Sequence, residues 1–374
     1  MRSRRLAADG RICGRPERRA DPARWRVATG GPERASILRL ANQVPGGTDY
    51  TGHPSGFPPG LSLRLDTAGA VPVLTPPFSH QPLRLGFSIA LQYDVAAPGA
   101  DFIFNVQPAQ TRQQHLVHEQ LTLNQAILPQ AHMDSVSRSR YIRLQAWPGT
   151  LTLNYHAVVD LFHHQADPLE LGEVPVMRLP PAVLGFLCPS RYCESDRLQA
   201  LAMAQFGQVP PGYQRVVAIR DWVRTQLRFE ANTSDSTTSA CDSLNRGAGV
   251  CRDFAHVMIG LCRALNIPAR FATGFDYGAD PALGPPDFHA YVEVYVGHRW
   301  YLFDPSGTAI PMSFVRLATG RDASDAAFAM IFGSVTCYAP VIHVAPQPNA
   351  QGILVTPEHT WRALSTDGMA SLAH

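Results

Sequence analysis

The chain has 374 residues, 45% of them hydrophobic and 17% charged, an ordinary composition for a globular protein of about two or three domains. Its 32 basic residues are all arginine, balanced by 30 acidic ones, and the first 40 residues hold 11 of those arginines against 4 acids. The remainder is therefore mildly acidic, which argues against a nucleic-acid-binding body, and no apolar run approaches the ~20 residues that a membrane helix needs.

Residues 1–82 are rich in Arg, then in Pro and Gly, and carry no periodic apolar pattern. They read as a disordered extension, of the kind a G- and C-biased coding sequence gives when translation starts too far upstream. They hold no apolar core of the secretory type, so a cytoplasmic protein is expected. From Leu85 the residues alternate, with Leu85, Phe87, Ile89, Leu91 and Tyr93 on one face, as in a half-buried strand. DFIFNV (Asp101–Val106), Tyr141–Trp147 and Leu151–Val159 repeat the signal. Residues 83–165 are therefore expected to form an antiparallel, sandwich-like β domain. Its HLVHE stretch (His115, His118, Glu119) is not the helical HExxH of a zinc site.

A Pro-rich linker is expected over residues 166–195 and a catalytic domain over 196–340, leaving residues 341–374 as a C-terminal extension. Two helical patterns open the catalytic span: Arg197–Phe206, then a stripe of Val216, Ile219, Val223 and Leu227. A polar stretch, Asn232–Ala240, precedes a glycine turn (NRGAG, Asn245–Gly249). Next comes a strong helix from Cys251 to about Leu265, with Phe254, Met258, Leu261 and Leu265 on its apolar face. Arg270–Phe275 reads as a strand, and HAYVEVYV (His289–Val296) with WYLFD (Trp300–Asp304) as a β-hairpin.

The seven cysteines are irregularly spaced, with no CxxC pair, so neither a disulfide scaffold nor a zinc site is expected. Cys251 differs from the others by standing at a helix start behind a glycine turn. Free N–H groups and the helix dipole favour a thiolate there, and the same N–H groups can stabilise an oxyanion. A thiol nucleophile needs an imidazole to move its proton and an acceptor to orient that imidazole. The hairpin would bring His289 and Asp304 to the same end of adjacent strands, which supplies both.

The block GAGVCRDFAHVMIGLCRALNIPARFATGF (Gly247–Phe275), followed by FHAYVEVYV (Phe288–Val296) and WYLFDPSG (Trp300–Gly307), resembles the core motifs of the bacterial transglutaminase-like superfamily. The β domain at 83–165 is similar to the N-terminal domain often fused to that core. The resemblance implies an α+β fold: an antiparallel β domain followed by a papain-like core, with the cysteine helix packed on an antiparallel sheet. It also implies Cys251 as nucleophile, His289 as base and acid, and Asp304 as the orienting residue, with no metal and no cofactor.

The expected reaction is acyl transfer or hydrolysis at an amide bond of a peptide or protein substrate, through a thioester, with hydrolysis favoured. The alternative is a non-catalytic scaffold with the same fold. Neither nucleic acid nor a membrane is expected as partner, and the oligomeric state is left open. His256 is expected to be structural, Cys262 to be core, and Arg252 to face either solvent or a substrate carboxylate. Asn232 and the Ser/Thr stretch after it are candidates for the side-chain donor of an oxyanion hole.

Overall fold

A computed structural model describes residues 61–63, 81–278 and 287–367. The N-terminal strands are β1 (Leu61–Leu63), β2 (Leu83–Val95), β3 (Ala100–Gln107), β4 (Gln114–Leu123), β5 (Gln130–Met133), β6 (Arg140–Ala146), β7 (Gly149–Leu161) and β8 (His164–Ala166). After a single helical turn at Pro181–Leu184 come four longer helices: α1 (Ser195–Phe206), α2 (Tyr213–Gln226), α3 (Ala240–Arg246) and α4 (Cys251–Ala264). The remaining strands are β9 (Ala269–Phe275), β10 (His289–Val296), β11 (Arg299–Phe303), β12 (Val315–Gly320), β13 (Ala329–Phe332), β14 (Val335–Cys337), β15 (Val341–Gln347) and β16 (Ala363–Ser365).

Two antiparallel sheets make the N-terminal sandwich. In one the order is β1-β4-β7-β2, with β14 and β15 both added to β2; in the other it is β13-β3-β6-β5. Alternation produces the layer between them. Leu85, Phe87, Ile89 and Leu91 from β2 meet Phe102 and Phe104 from β3 and Ile142 and Leu144 from β6, all buried.

The sandwich is thus finished by residues 329–347, far along the chain. The expected division at residue 340, between a catalytic domain and a C-terminal extension, is not how the sheets divide. Strand pairing depends on register across space, which a pass along the chain does not reveal. The 166–195 stretch also differs from a free linker, because it buries Leu171, Val174, Leu179, Val183 and Cys193. Of the extension expected over 1–82, the described part is β1, which pairs with β4, and residues 81–82.

A third antiparallel sheet, β11-β10-β9-β12, carries the helices on one face. Ala290, Val292, Val294 and Val296 of β10 share a core with Phe254, Met258 and Leu261 of α4. Twelve of the fourteen α4 residues are buried, so this helix is central and apolar on more than one face. Each of those large side chains stabilises the fold by roughly 1.5–3 kcal/mol on burial. The sheet also meets the sandwich: Phe275, Val315 and Leu317 lie in the sandwich core, and the Phe275 ring sits 4.5 Å from that of Phe87. Among the described residues, no helix is long and apolar enough to cross a membrane.

Candidate active site

The start of α4 is fixed by a chain of local devices. Ser239 caps α3, accepting a hydrogen bond from Asp242 N, and Asp242 accepts in return from Ser239 N. Gly247 ends α3 at φ +69°, a left-handed position that favours glycine. Residues 248–249 then bridge to Arg228–Phe229, and Cys251 becomes the first residue of α4.

Asp253 secures this turn. Its carboxylate accepts from Val250 N at 2.8 Å and from Ser234 Oγ at 2.9 Å. A Cβ on Gly249 would lie 2.6 Å from Asp253 Cβ, so the close approach needs glycine. Arg252 donates to Ser234 Oγ and to the Asp235 carbonyl, both at 2.7 Å. Its guanidinium thus pins the polar stretch to the helix start. As the first helical residue, Cys251 has a backbone N–H with no intrahelical acceptor.

His289 begins β10, and Asp304 directly follows β11. His289 Nε2 lies 3.5 Å from Asp304 Oδ1. Asp304 is buried and held on all sides: Oδ1 accepts from Ser306 N at 2.9 Å and Ser306 Oγ at 2.6 Å, and Oδ2 from Ala309 N at 3.1 Å. The Asp304 carbonyl accepts from Arg224 Nη2 at 2.9 Å.

Burial alone would lower the His289 pKa. The hydrogen bonds and charges of Asp304 and Cys251 outweigh it, and the imidazole is held well above its usual 6.5. Burial likewise works to raise Asp304, but the hydrogen bond and charge of His289, with the Ser306 hydroxyl, carry it well below the usual carboxylate range. Nε2 faces Asp304, and His289 and Cys251 line the same cleft. The structure thus brings together the three residues that the sequence singled out.

His256 and Cys262 occupy the structural places expected of them. His256 is fully buried, stacked on Tyr192, and its Nε2 accepts from Ala323 N at 3.2 Å. Burial, with the nearby Arg252 charge, lowers its pKa to about 3. It is a neutral side chain that anchors the loop after β12. Cys262 is buried in the core, which pushes its thiol up. His115 and His118 lie on β4, while Glu119 is spent on Arg140 at 2.6 Å and the Tyr155 hydroxyl at 2.6 Å.

The cleft beside Cys251 has a volume of about 360 Å³ and an apolar wall of Phe271, Phe288, Ala290, Phe328 and Met330. Ser236, Thr273 and Ser324 supply hydroxyls to its lining, whereas Asn232 does not line it.

Sequence reasoning missed Asp276. It is buried, accepts from the Tyr291 hydroxyl at 3.2 Å and has one oxygen without a partner among the described residues. Burial raises its pKa, opposed by the His289 charge and reinforced by that of Asp304. An Asp at a strand end gives no signal of this in the sequence. Residues 279–286, between β9 and β10, lie outside the described residues.

Comparison with known proteins agrees with this architecture. Residues 199–305 match the transglutaminase-like superfamily core, and residues 84–182 match the bacterial transglutaminase N-terminal domain. The crystal structure of a proposed cysteine protease from Cytophaga hutchinsonii is 37% identical to this chain. The match covers 76% of this chain and 98% of that one, with a TM-score of 0.71. The chain belongs to the transglutaminase-like superfamily. An uncharacterized protein of Mycobacterium leprae (strain TN) is 31% identical over 117 residues, which span 30% of this chain and 42% of that relative's length.

Proposed function

We propose that this chain is a thiol hydrolase of polypeptide amide bonds, with Cys251 as nucleophile, His289 as acid and base, and Asp304 orienting the imidazole. One observation carries the reading: a buried imidazole 3.5 Å from a buried carboxylate, lining the same cleft as the cysteine at a helix start. The family and its Cytophaga hutchinsonii neighbour, described as a proposed cysteine protease, support thiol-dependent chemistry at amide bonds in general.

The Cys251 sulfur attacks the amide carbonyl, and the resulting oxyanion meets the free N–H of Cys251. The C–N bond then breaks, and the proton of the His289 imidazolium goes to the departing amine, leaving a thioester. Neutral His289 next takes a proton from water as its oxygen attacks the thioester. The acid product leaves, and Cys251 and His289 return to their starting states. The apolar cleft suits an aromatic or aliphatic side chain next to the scissile bond.

The test incubates the full chain with an unfolded protein and a labelled primary amine. New peptide termini that disappear in Cys251→Ala are expected. Cysteine-dependent amine incorporation without chain cleavage would replace hydrolysis by transfer, and inertness of the wild type towards both would favour the scaffold alternative.

A further inference from the structure

A second depression lies on the outer face of the sandwich, with a volume of about 610 Å³. Cross-strand neighbours share a face. Met330 pairs with Ile103 and Phe332 with Asp101, while Ile103 pairs with Arg143 and Asp101 with Gln145. These six side chains therefore look outward from β13, β3 and β6. Their neighbours Ala329, Ile331, Phe102 and Leu144 fill the core instead.

Leu128 and Trp147 wall the depression, and three large apolar side chains there are open to solvent: Leu128 at 79%, Trp147 at 61% and Phe332 at 46%. A cluster of exposed apolar side chains around one hollow marks a binding surface, and Trp is favoured among residues that dominate binding.

The occupant is indicated by continuity. Met330 and Phe332 line the Cys251 cleft, and Phe332 also lines the depression. Strand β13 thus joins the two. From Phe328 to Phe332 the chain advances about 13 Å, at roughly 3.3 Å per residue, the length of about four extended substrate residues. The rim carries Asp101, Gln130, Arg143 and Gln145, donors and acceptors of both kinds that suit peptide amides.

We propose that this depression is an exosite for a protein substrate. It takes an aromatic or aliphatic side chain of an extended polypeptide, about four residues from the bond presented to Cys251. The assignment rests on the proposed function, and makes its substrate a polypeptide rather than a small amide.

The test measures binding of fluorescein-labelled, carboxymethylated casein to the full chain carrying Cys251→Ala, with and without Leu128→Ser and Trp147→Ser. Both changed side chains are largely exposed, so the fold is retained. The double change is expected to weaken binding about tenfold or more. Equal binding in the two proteins, or none in either, overturns the exosite. So does a dimer of the parent chain that the double change dissociates, because a second copy then occupies the surface. Failure of the triad reading shows elsewhere, as a Cys251 thiol no more reactive than the other cysteines in a chain that still binds casein through Trp147.

Discussion

The chemistry depends on which groups hold charge around His289. Its folded-state pKa lies above the ordinary value of 6.5 because Asp304 and Cys251 overcome the effect of burial. Protonation of His289 therefore stabilises the fold fully below about pH 6.5, and that contribution fades as pH rises through the raised value. Asp304 has the opposite sense: its contribution is present above its ordinary 3.8 and fades as pH falls through its lowered value. The alkaline limb of kcat/KM is accordingly expected well above pH 6.5. Asp304→Asn should move that limb down and reduce kcat by about 100-fold or more, in line with general acid–base contributions. A pH profile checks both; an unmoved limb would remove Asp304 from its role. Cys251, His289 and Asp304 were legible because each stands at an element boundary readable from glycine, proline and alternation. Ser306, Ala309 and Asp276 were not, since their contacts are set by loop closure.

At the level of elements, close backbone approaches decide what the site tolerates. Gly274 pairs with His289 across β9 and β10, and a Cβ there would lie 2.0 Å from the Val315 carbonyl oxygen on β12. Backbone cannot retreat as a side chain can. Gly274→Ala should therefore cost about 1–3 kcal/mol or more and disturb His289, read as a lower urea midpoint together with lost turnover. Gly260→Ala is the contrast, because the one tight approach of its Cβ is to the flexible end of Leu198 at 2.8 Å, with Ala240 Cβ at an ordinary 4.0 Å; a smaller loss is expected, and equal losses would contradict the argument.

The helices α1, α2 and α4 and the strands β2, β3, β6, β7, β9, β10 and β11 followed their periodicity, whereas α3 fell where a polar stretch and a glycine turn were expected. Strand β4 was hidden for a physical reason. Its register shifts between Leu116 and His118, which breaks the alternation, and its inward position 119 is a Glu neutralised by Arg140.

Across the whole molecule, charge ties the last described residues to the central sheet. Arg270 on β9 donates to Glu293 on β10 at 2.6 Å, and Glu293 lies 3.4 Å from Arg316 on β12. Asp367, just beyond β16, bonds both arginines, and Thr366 donates to Glu293 at 3.1 Å. Two guanidiniums thus face two carboxylates in a buried network. Glu293→Gln would leave the arginines undercompensated, at a cost of roughly 3–5 kcal/mol. Chemical denaturation should show this as a lower midpoint with the slope kept; an unchanged midpoint would mean that Asp367 alone suffices. Neither this network nor the completion of the sandwich by β13, β14 and β15 was legible, because both join segments that only the folded chain brings together.

The central proposal is that His289 activates the Cys251 thiol as a nucleophile. Its most direct measurement is the rate of iodoacetamide labelling of Cys251 against pH, read by mass spectrometry beside the other cysteines. Labelling of Cys251 that outpaces the other cysteines and that His289→Ala abolishes is the result the proposed triad predicts. Labelling no faster than at the exposed Cys188, or unaltered by His289→Ala, would contradict it.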